Sequence, residues 1–161
     1  MVFCHGFGCN FRTAFNLSSA DRRRLTEIMA SGRATPAAER RALSRAMVWL
    51  DRRMGPIAGT ANHIARAAGQ QHAGKRNQLD CFDTTQNTTS LLLLLNEWKL
   101  LRHHRIETPR SRGLFLGGGR PHVSAVVAES KSGARWVIDP WTRAYGQPPD
   151  IMPLEQWVKA N

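Results

Sequence analysis

Three side chains of this sequence are of the types that together perform nucleophilic acyl chemistry: Cys81, His122 and Asp139. A thiolate attacks a carbonyl, an imidazole takes the thiol proton and later returns it, and a carboxylate fixes the tautomer of the imidazole. Cys81 lies in Gln78-Leu79-Asp80-Cys81-Phe82-Asp83-Thr84-Thr85-Gln86-Asn87-Thr88-Thr89-Ser90, directly before the apolar run Leu91 to Leu95. Polar residues gather at a helix start because its first N–H groups lack partners and its dipole favours negative charge. A cysteine at that place feels the same field, which favours thiolate over thiol. The competing reading of Cys81 is a buried structural thiol.

His122 opens a strand after the Gly117-Gly118-Gly119 turn, and Asp139 closes the next strand, before Pro140. Antiparallel neighbours can set the start of one strand beside the end of the other. Asp139 could then hold one nitrogen of the His122 ring while the other faces the thiol. Taken singly, His122 also reads as an ordinary strand histidine, and Asp139 before a proline as a turn initiator.

The elements that must position these groups follow from periodicity and punctuation. Ser18 or Ser19 can cap a helix with Asp21 in its first turn and Leu25, Ile28 and Met29 as its stripe, ending near Gly32. Thr35-Pro36 restarts a helix as cap and first helical proline. Leu43, Met47, Leu50 and Met54 then form a core-facing seam until Gly55-Pro56, where a break is expected. Ile57 to Ala68 suggests a third, small-residue helix, and Gly69 to Asn77 a polar loop. A buried helix is expected from about Cys81 to Leu101. Its threonines Thr84, Thr85, Thr88 and Thr89 either line a polar cleft or bond back to preceding carbonyls.

Beyond Leu101 the pattern turns to short strands: His103 to Glu107, Gly113 to Leu116, His122 to Ala128 and Arg135 to Asp139, the last two forming a hairpin around Ser130-Lys131-Ser132-Gly133. Adjacent His103 and His104 would point to opposite faces of a strand, which argues against joint metal ligation. A loop with Pro148-Pro149 precedes a short terminal helix from Pro153. Helices followed by strands indicate an α+β fold: N-terminal helices and a central buried helix beginning at Cys81, packed on an antiparallel sheet, within one domain over 1–161.

Residues 1 to 17 carry Phe3, Phe7, Phe11 and Phe15 among glycines, and read as an aromatic-anchored loop. A Cys4–Cys9 disulfide closes it if the compartment is oxidising, leaving Cys81 as the free thiol of an odd count of 3. Metal binding by Cys4, His5 and Cys9 lacks a fourth ligand, and no metal site is expected. His63 and His72 have no carboxylate or cysteine neighbours in sequence and read as surface or capping residues.

The net charge of +11 would suit an anionic partner. The excess is arginine scattered along the chain with no accompanying motif, which speaks against nucleic acid yet leaves a basic binding module, for nucleic acid or an anionic surface, as the alternative to an enzyme. The apolar runs are too short to span a membrane. The N-terminus shows no signal-peptide pattern, which favours the cytoplasm, or the periplasm if the true start lies upstream.

At Asp80-Cys81-Phe82-Asp83, Pro121-His122-Val123-Ser124-Ala125-Val126-Val127 and Trp136-Val137-Ile138-Asp139-Pro140-Trp141 the sequence resembles the transglutaminase-like superfamily of papain-fold cysteine enzymes. Within it, the bacterial transglutaminase-like cysteine proteinases and related bacterial proteins are the most similar. The resemblance covers about half the chain, from near Gln78 to Trp141, and implies a catalytic core over 71–161 with a helical extension over 1–70. It implies Cys81 as nucleophile, His122 as general base and acid, and Asp139 as orienting group, acting on protein or peptide amides through a thioester. Water as acceptor gives a protease or amidase, an amine gives a transglutaminase, and an inactive peptide-binding relative is the third outcome. The oxyanion would rest on the Cys81 N–H and one upstream donor, taken as Gln78. Some relatives bind calcium through acids flanking the cysteine. Here Phe82 stands where they carry a second acid, so Asp80 reads as a helix cap and no cofactor is expected.

Overall fold

The computed structural model describes residues 1–113 and 121–160. Over these residues it has an α+β architecture of four helices with one two-stranded and one four-stranded antiparallel sheet. The chain opens with a hairpin, β1 (Val2–His5) and β2 (Phe11–Ala14), where the sequence suggested a loop. The Cys4–Cys9 disulfide closes its tip. Helix α1 (Ser19–Ala30) starts at the Ser18–Asp21 capping box, and α2 (Pro36–Ala58) at the Thr35 cap with Pro36 in its first turn.

Gly55-Pro56 does not break α2 as expected; the helix runs on to a left-handed cap at Gly59. Proline in a helix leaves the carbonyl four residues earlier without its donor. Here that carbonyl belongs to Arg52, and the Tyr145 hydroxyl lies 3.4 Å from it. Gly55 makes the approach possible, since a Cβ there would lie 2.4 Å from the Tyr145 ring. Consequently the expected third helix over 57–68 is absent: Ile57 and Ala58 finish α2, and the chain then runs through turns to Cys81.

Helix α3 (Cys81–Glu97) is the central element, but it stops short of Leu101. Its exit passes through Lys99 at φ 57, a left-handed bend that leads the chain into the sheet. Four threonines in its first turns cost about 2–3 kcal/mol of helix propensity relative to alanine. Full burial of Leu91, Leu92 and Leu95 contributes about 1.5–3 kcal/mol each, which outweighs that cost. Leu93, 55% exposed, shows that one edge of the helix faces outward.

The larger sheet has the order β3-β4-β5-β6, all antiparallel: β3 (His104–Arg112), β4 (His122–Glu129), β5 (Arg135–Asp139) and β6 (Asp150–Pro153). β3 is longer than expected and carries Pro109 at a register shift between Glu107 and Arg110, where a missing N–H is tolerated at a sheet edge. The expected strand from Gly113 to Leu116 and the triple-glycine turn lie outside the described residues, apart from Gly113, which is not in a strand. β6 was not foreseen, whereas α4 (Leu154–Lys159) is the terminal helix expected after Pro153.

One face of the sheet joins a core built from Phe3, Leu25, Leu43, Leu50, Met54, Leu91 and Leu95, in which Ala125, Val127 and Ile138 take part. That core runs through both the N-terminal and C-terminal halves of the chain. The opposite face, through Val126 and Val137, is covered by Leu154 and Trp157 of α4. Among the described residues, no helix is long and apolar enough to cross a membrane.

Candidate active site

Cys81 is the first residue of α3, partly exposed and free of any disulfide. Its position follows from Asp80, whose side chain accepts from Asp83 N–H at 2.7 Å, while the Asp83 carboxylate accepts from Asp80 N–H at 3.2 Å. This reciprocal box starts the helix one residue before the cysteine, as the cap reading of Asp80 anticipated. The N–H groups of a helix's first turn have no partner within the helix, so the Cys81 N–H is available to a ligand.

Thr84 and Thr88 take the second of their two readings and bond back to preceding carbonyls. Thr84 Oγ1 donates toward the carbonyls of Asp80 and Cys81, and Thr88 Oγ1 donates to the Thr84 carbonyl. Thr85 reaches across instead, donating to the Val123 carbonyl at 3.0 Å. That bond ties the first turn of α3 to β4 next to His122, and so sets the cysteine helix against the histidine strand.

His122 and Asp139 meet as the hairpin geometry predicted. His122 Nε2 lies 2.6 Å from Asp139 Oδ2, with both side chains buried. The β4–β5 register runs Ala128↔Arg135 to Ala125↔Ile138, which carries the start of β4 and the end of β5 to the same end of the sheet. With Nε2 committed, Nδ1 is the nitrogen left for the thiol. Nδ1 is buried and, among the described residues, has no hydrogen-bond partner. The Cys81 side chain is nonetheless close enough to act on the ring by hydrogen bonding and by charge. Catalytic hydrogen bonds are often long or poorly aligned before substrate binds.

Burial alone would lower the His122 pKa. Hydrogen bonding to Asp139 and then to Cys81, with the negative charges of both, outweighs it, so the imidazole titrates above its ordinary value.

Two tryptophans enclose this pair. The His122 ring lies 4.5 Å from the Trp141 ring and 5.3 Å from the Trp157 ring, centroid to centroid. Trp157 Nε1–H donates to Asp139 Oδ2 at 2.9 Å, the same oxygen that meets His122. Arg112 holds Trp157 in place: its guanidinium donates to the Trp157 carbonyl at 2.6 Å and to the Ala160 carbonyl, and lies 4.6 Å from the Trp157 ring centroid. Trp141 belongs to the Trp136–Trp141 motif, but nothing in the sequence marks Trp157, which reads as a plain apolar position of a short helix. Of the neighbouring aromatics, Trp136 packs under Arg40, and Tyr145 packs edge-on to His63 and against Gly55.

Trp157→Phe keeps the ring and removes the N–H. We expect a stability loss of about 2 kcal/mol, since a hydrogen bond to a charged acceptor is lost. For a chain of this size that is a fall in Tm of roughly 4–8 °C, checked by thermal denaturation.

Gln78 is buried, and its amide oxygen accepts from the Ile64 N–H at 3.1 Å, which orients the amide three residues before Cys81. The tip of the first hairpin grips the same segment. Gly6, Phe7, Gly8 and Cys9 all have positive φ, at 80, 68, 63 and 59°. Their N–H groups donate in turn to the Gln78 carbonyl (2.8 Å), Asp83 Oδ2 (2.8 Å), Asp80 Oδ2 (2.9 Å) and Asp83 Oδ1 (2.6 Å). The left-handed region costs a non-glycine residue about 1–2 kcal/mol, here at Phe7 and Cys9, and these bonds offset it. Burial and the neighbouring Asp80 charge push the Asp83 carboxyl up to about 6, against the pull of the three backbone N–H groups.

Asp80 and Asp83 thus direct their carboxylate oxygens at backbone donors. Among the described residues no group of three or more His, Cys, Asp or Glu side chains is placed to hold a metal. Cys4 and Cys9 are joined to each other, and His5 bonds through Nδ1 to the Arg76 carbonyl and through Nε2 to Thr13 Oγ1. His63, read as a surface or capping residue, is buried, with Nε2 3.1 Å from Asp51 Oδ1. The Asp51 carboxylate also accepts from Gly146 N–H, so the pair braces the 140–147 loop against α2. His103 and His104 diverge, the first toward the Arg33 carbonyl and the second toward Glu39. Comparison with protein-family models, curated proteins and solved structures finds no match to this chain.

Proposed function

We propose that this chain is a cysteine-dependent amide hydrolase or acyltransferase acting on protein or peptide substrates, of the transglutaminase-like kind its motifs resemble. The observation that carries the reading is the buried His122–Asp139 pair, whose remaining ring nitrogen is left to a cysteine at a helix N-terminus. A structural histidine would have both nitrogens satisfied inside the protein. Here the second has no hydrogen-bond partner among the described residues, which leaves it for exchange with the thiol.

In the proposed cycle His122 Nδ1 takes the Cys81 proton, and the sulfur forms a bond to the substrate amide carbon. The oxyanion rests on the Cys81 N–H and the Gln78 side-chain amide. His122 then delivers its proton to the departing amine as the C–N bond breaks, leaving a thioester. Water or a second amine, deprotonated by the same ring, attacks the thioester carbon; the C–S bond breaks, the acid or new amide departs, and the ring returns its proton to the Cys81 sulfur. Asp139 stabilises the imidazolium throughout without itself taking the proton. The Cys4–Cys9 disulfide suits an oxidising compartment as the place of action.

The test combines labelling with turnover. Iodoacetamide should alkylate Cys81 rapidly near pH 7, and His122→Ala should slow it about tenfold or more; an ordinary thiol reacts only as pH approaches ~8.5. Cleavage of a fluorescent casein, or incorporation of a fluorescent primary amine into it, then separates hydrolase from transferase. Labelling at the ordinary thiol rate, indifferent to His122→Ala, would sink the proposal. Within it, Gln78→Ala should lower kcat by about 10²–10³ with little change in KM, as expected for a donor used only by the oxyanion.

A further inference from the structure

The disulfide-closed hairpin tip is anchored on the segment that opens α3. Four successive N–H groups, from Gly6 to Cys9, all end on the segment 78–83, which contains Gln78 and Cys81. Two of those four residues, Phe7 and Cys9, hold a left-handed backbone that side-chain-bearing residues avoid. The disulfide spans this turn, and Cys4, its other end, is bound to α3 through both its N–H and its carbonyl by the Asn87 side chain, at 2.7 and 2.8 Å. The turn is therefore fixed to the nucleophile helix at one end by Asn87 and at the other by Asp80 and Asp83, and the S–S bond links the two attachments. Cys4 is buried, but Cys9 is partly exposed, and the two line a surface groove with Val2, Arg12, Phe82 and Gln86 through which the disulfide is approached.

We propose that Cys4–Cys9 is a redox latch on this site: oxidised, it holds the 6–9 turn in the left-handed form that grips Gln78, Asp80 and Asp83; reduced, it lets that turn relax and frees the start of α3. The proposal rests on the reading of Cys81 as nucleophile and names its regulation. The reductant is a dithiol. One of its thiolates attacks a sulfur of the Cys4–Cys9 bond, forming a mixed disulfide, and its second thiol displaces that bond. Two electrons and two protons pass to Cys4 and Cys9, which leave as thiols, and the reductant departs as a disulfide. Without the S–S bond, Phe7 and Cys9 return to ordinary backbone conformations, and the carboxylates of Asp80 and Asp83 lose the donors that organise them.

The test compares the full chain before and after reduction by a dithiol, and after reoxidation. Amide hydrogen exchange over 78–85 should quicken about tenfold or more on reduction and recover on reoxidation, while β4 and β5 keep their protection. In parallel, the ratio of Cys81 alkylation rates between wild type and His122→Ala, read by peptide mass spectrometry, should fall from about tenfold toward one. The double variant Cys4→Ser/Cys9→Ser should match the reduced protein and ignore the dithiol.

Exchange over 78–85 that changes less than twofold on reduction overturns the latch. So does loss of protection across β4 and β5 as well, which would make the disulfide a staple of the whole fold. Reversible reduction of the wild type decides the matter even if the double variant fails to fold. A ratio of one already present in the oxidised protein would instead overturn the nucleophile reading, and exchange alone would then decide the latch.

Discussion

Cys81→Ser is expected to lower amide turnover by about 10⁴-fold or more, because the reaction loses its nucleophile and the remaining groups act only as a unit with it. The fold should be indifferent to the change. Cys81 is partly exposed at a helix start whose cap is supplied by Asp80 and Asp83, so stability should stay within about 0.5 kcal/mol and Tm within roughly 2 °C. That contrast separates an enzyme from the alternative of a basic binding module. The net charge of +11 gives the chain the means to bind polyanions non-specifically. If Cys81→Ser leaves the protein's only measurable activity untouched, and that activity is salt-sensitive binding to duplex DNA, the enzyme reading is wrong. Casein turnover and filter binding at two salt concentrations, on wild type and variant side by side, decide between them.

The parts of the site legible in the sequence were those set by local rules. A capping residue before an apolar run places Cys81 at a helix start whatever surrounds it. Alternation and a turn signal place His122 and Asp139 on one hairpin. Where tertiary partners overrode local rules, the reading failed. Pro56 is a helix breaker until Tyr145, far away in sequence, supplies the hydrogen bond its ring removes. β6 is four residues long and ends in proline, so only its pairing with β5 makes it a strand. Trp157 reads as an apolar anchor of a short helix, and nothing local announces that its N–H ends on Asp139. His63 lacked a carboxylate in sequence and gained Asp51 across the turn after α2. The spacing of Cys4 and Cys9 suggested their bond but not its purpose, since the N–H groups between them find acids more than 70 residues away.

Asp139 carries the second large effect, because it serves two buried donors with one oxygen. Asp139→Ala leaves the His122 ring and the Trp157 N–H without a partner in a buried site, and breaking a buried charged pair costs about 3–5 kcal/mol. Tm should fall by roughly 10 °C, since each kcal/mol is worth about 2–4 °C in a chain of this size.

The loss should depend on pH in one direction. In the wild type the His122 pKa is raised, so its stabilising contribution is complete below the ordinary histidine value of ~6.5 and fades as pH rises through the folded value. Without Asp139 the largest remaining influence is burial, which favours the neutral ring and turns acid into a stress. The gap in Tm between wild type and Asp139→Ala should therefore be widest near pH 5–6 and narrow toward pH 9. A gap independent of pH would mean that the pair is not charged at acid pH.

Asp139→Asn separates structure from chemistry. Its amide oxygen can still accept one of the two donors and should recover part of the lost Tm. Turnover should stay depressed by about 10⁴-fold, because an amide neither fixes the required tautomer nor balances an imidazolium. Recovery of stability without recovery of rate would assign Asp139 to the chemistry; recovery of both would reduce it to a structural bond.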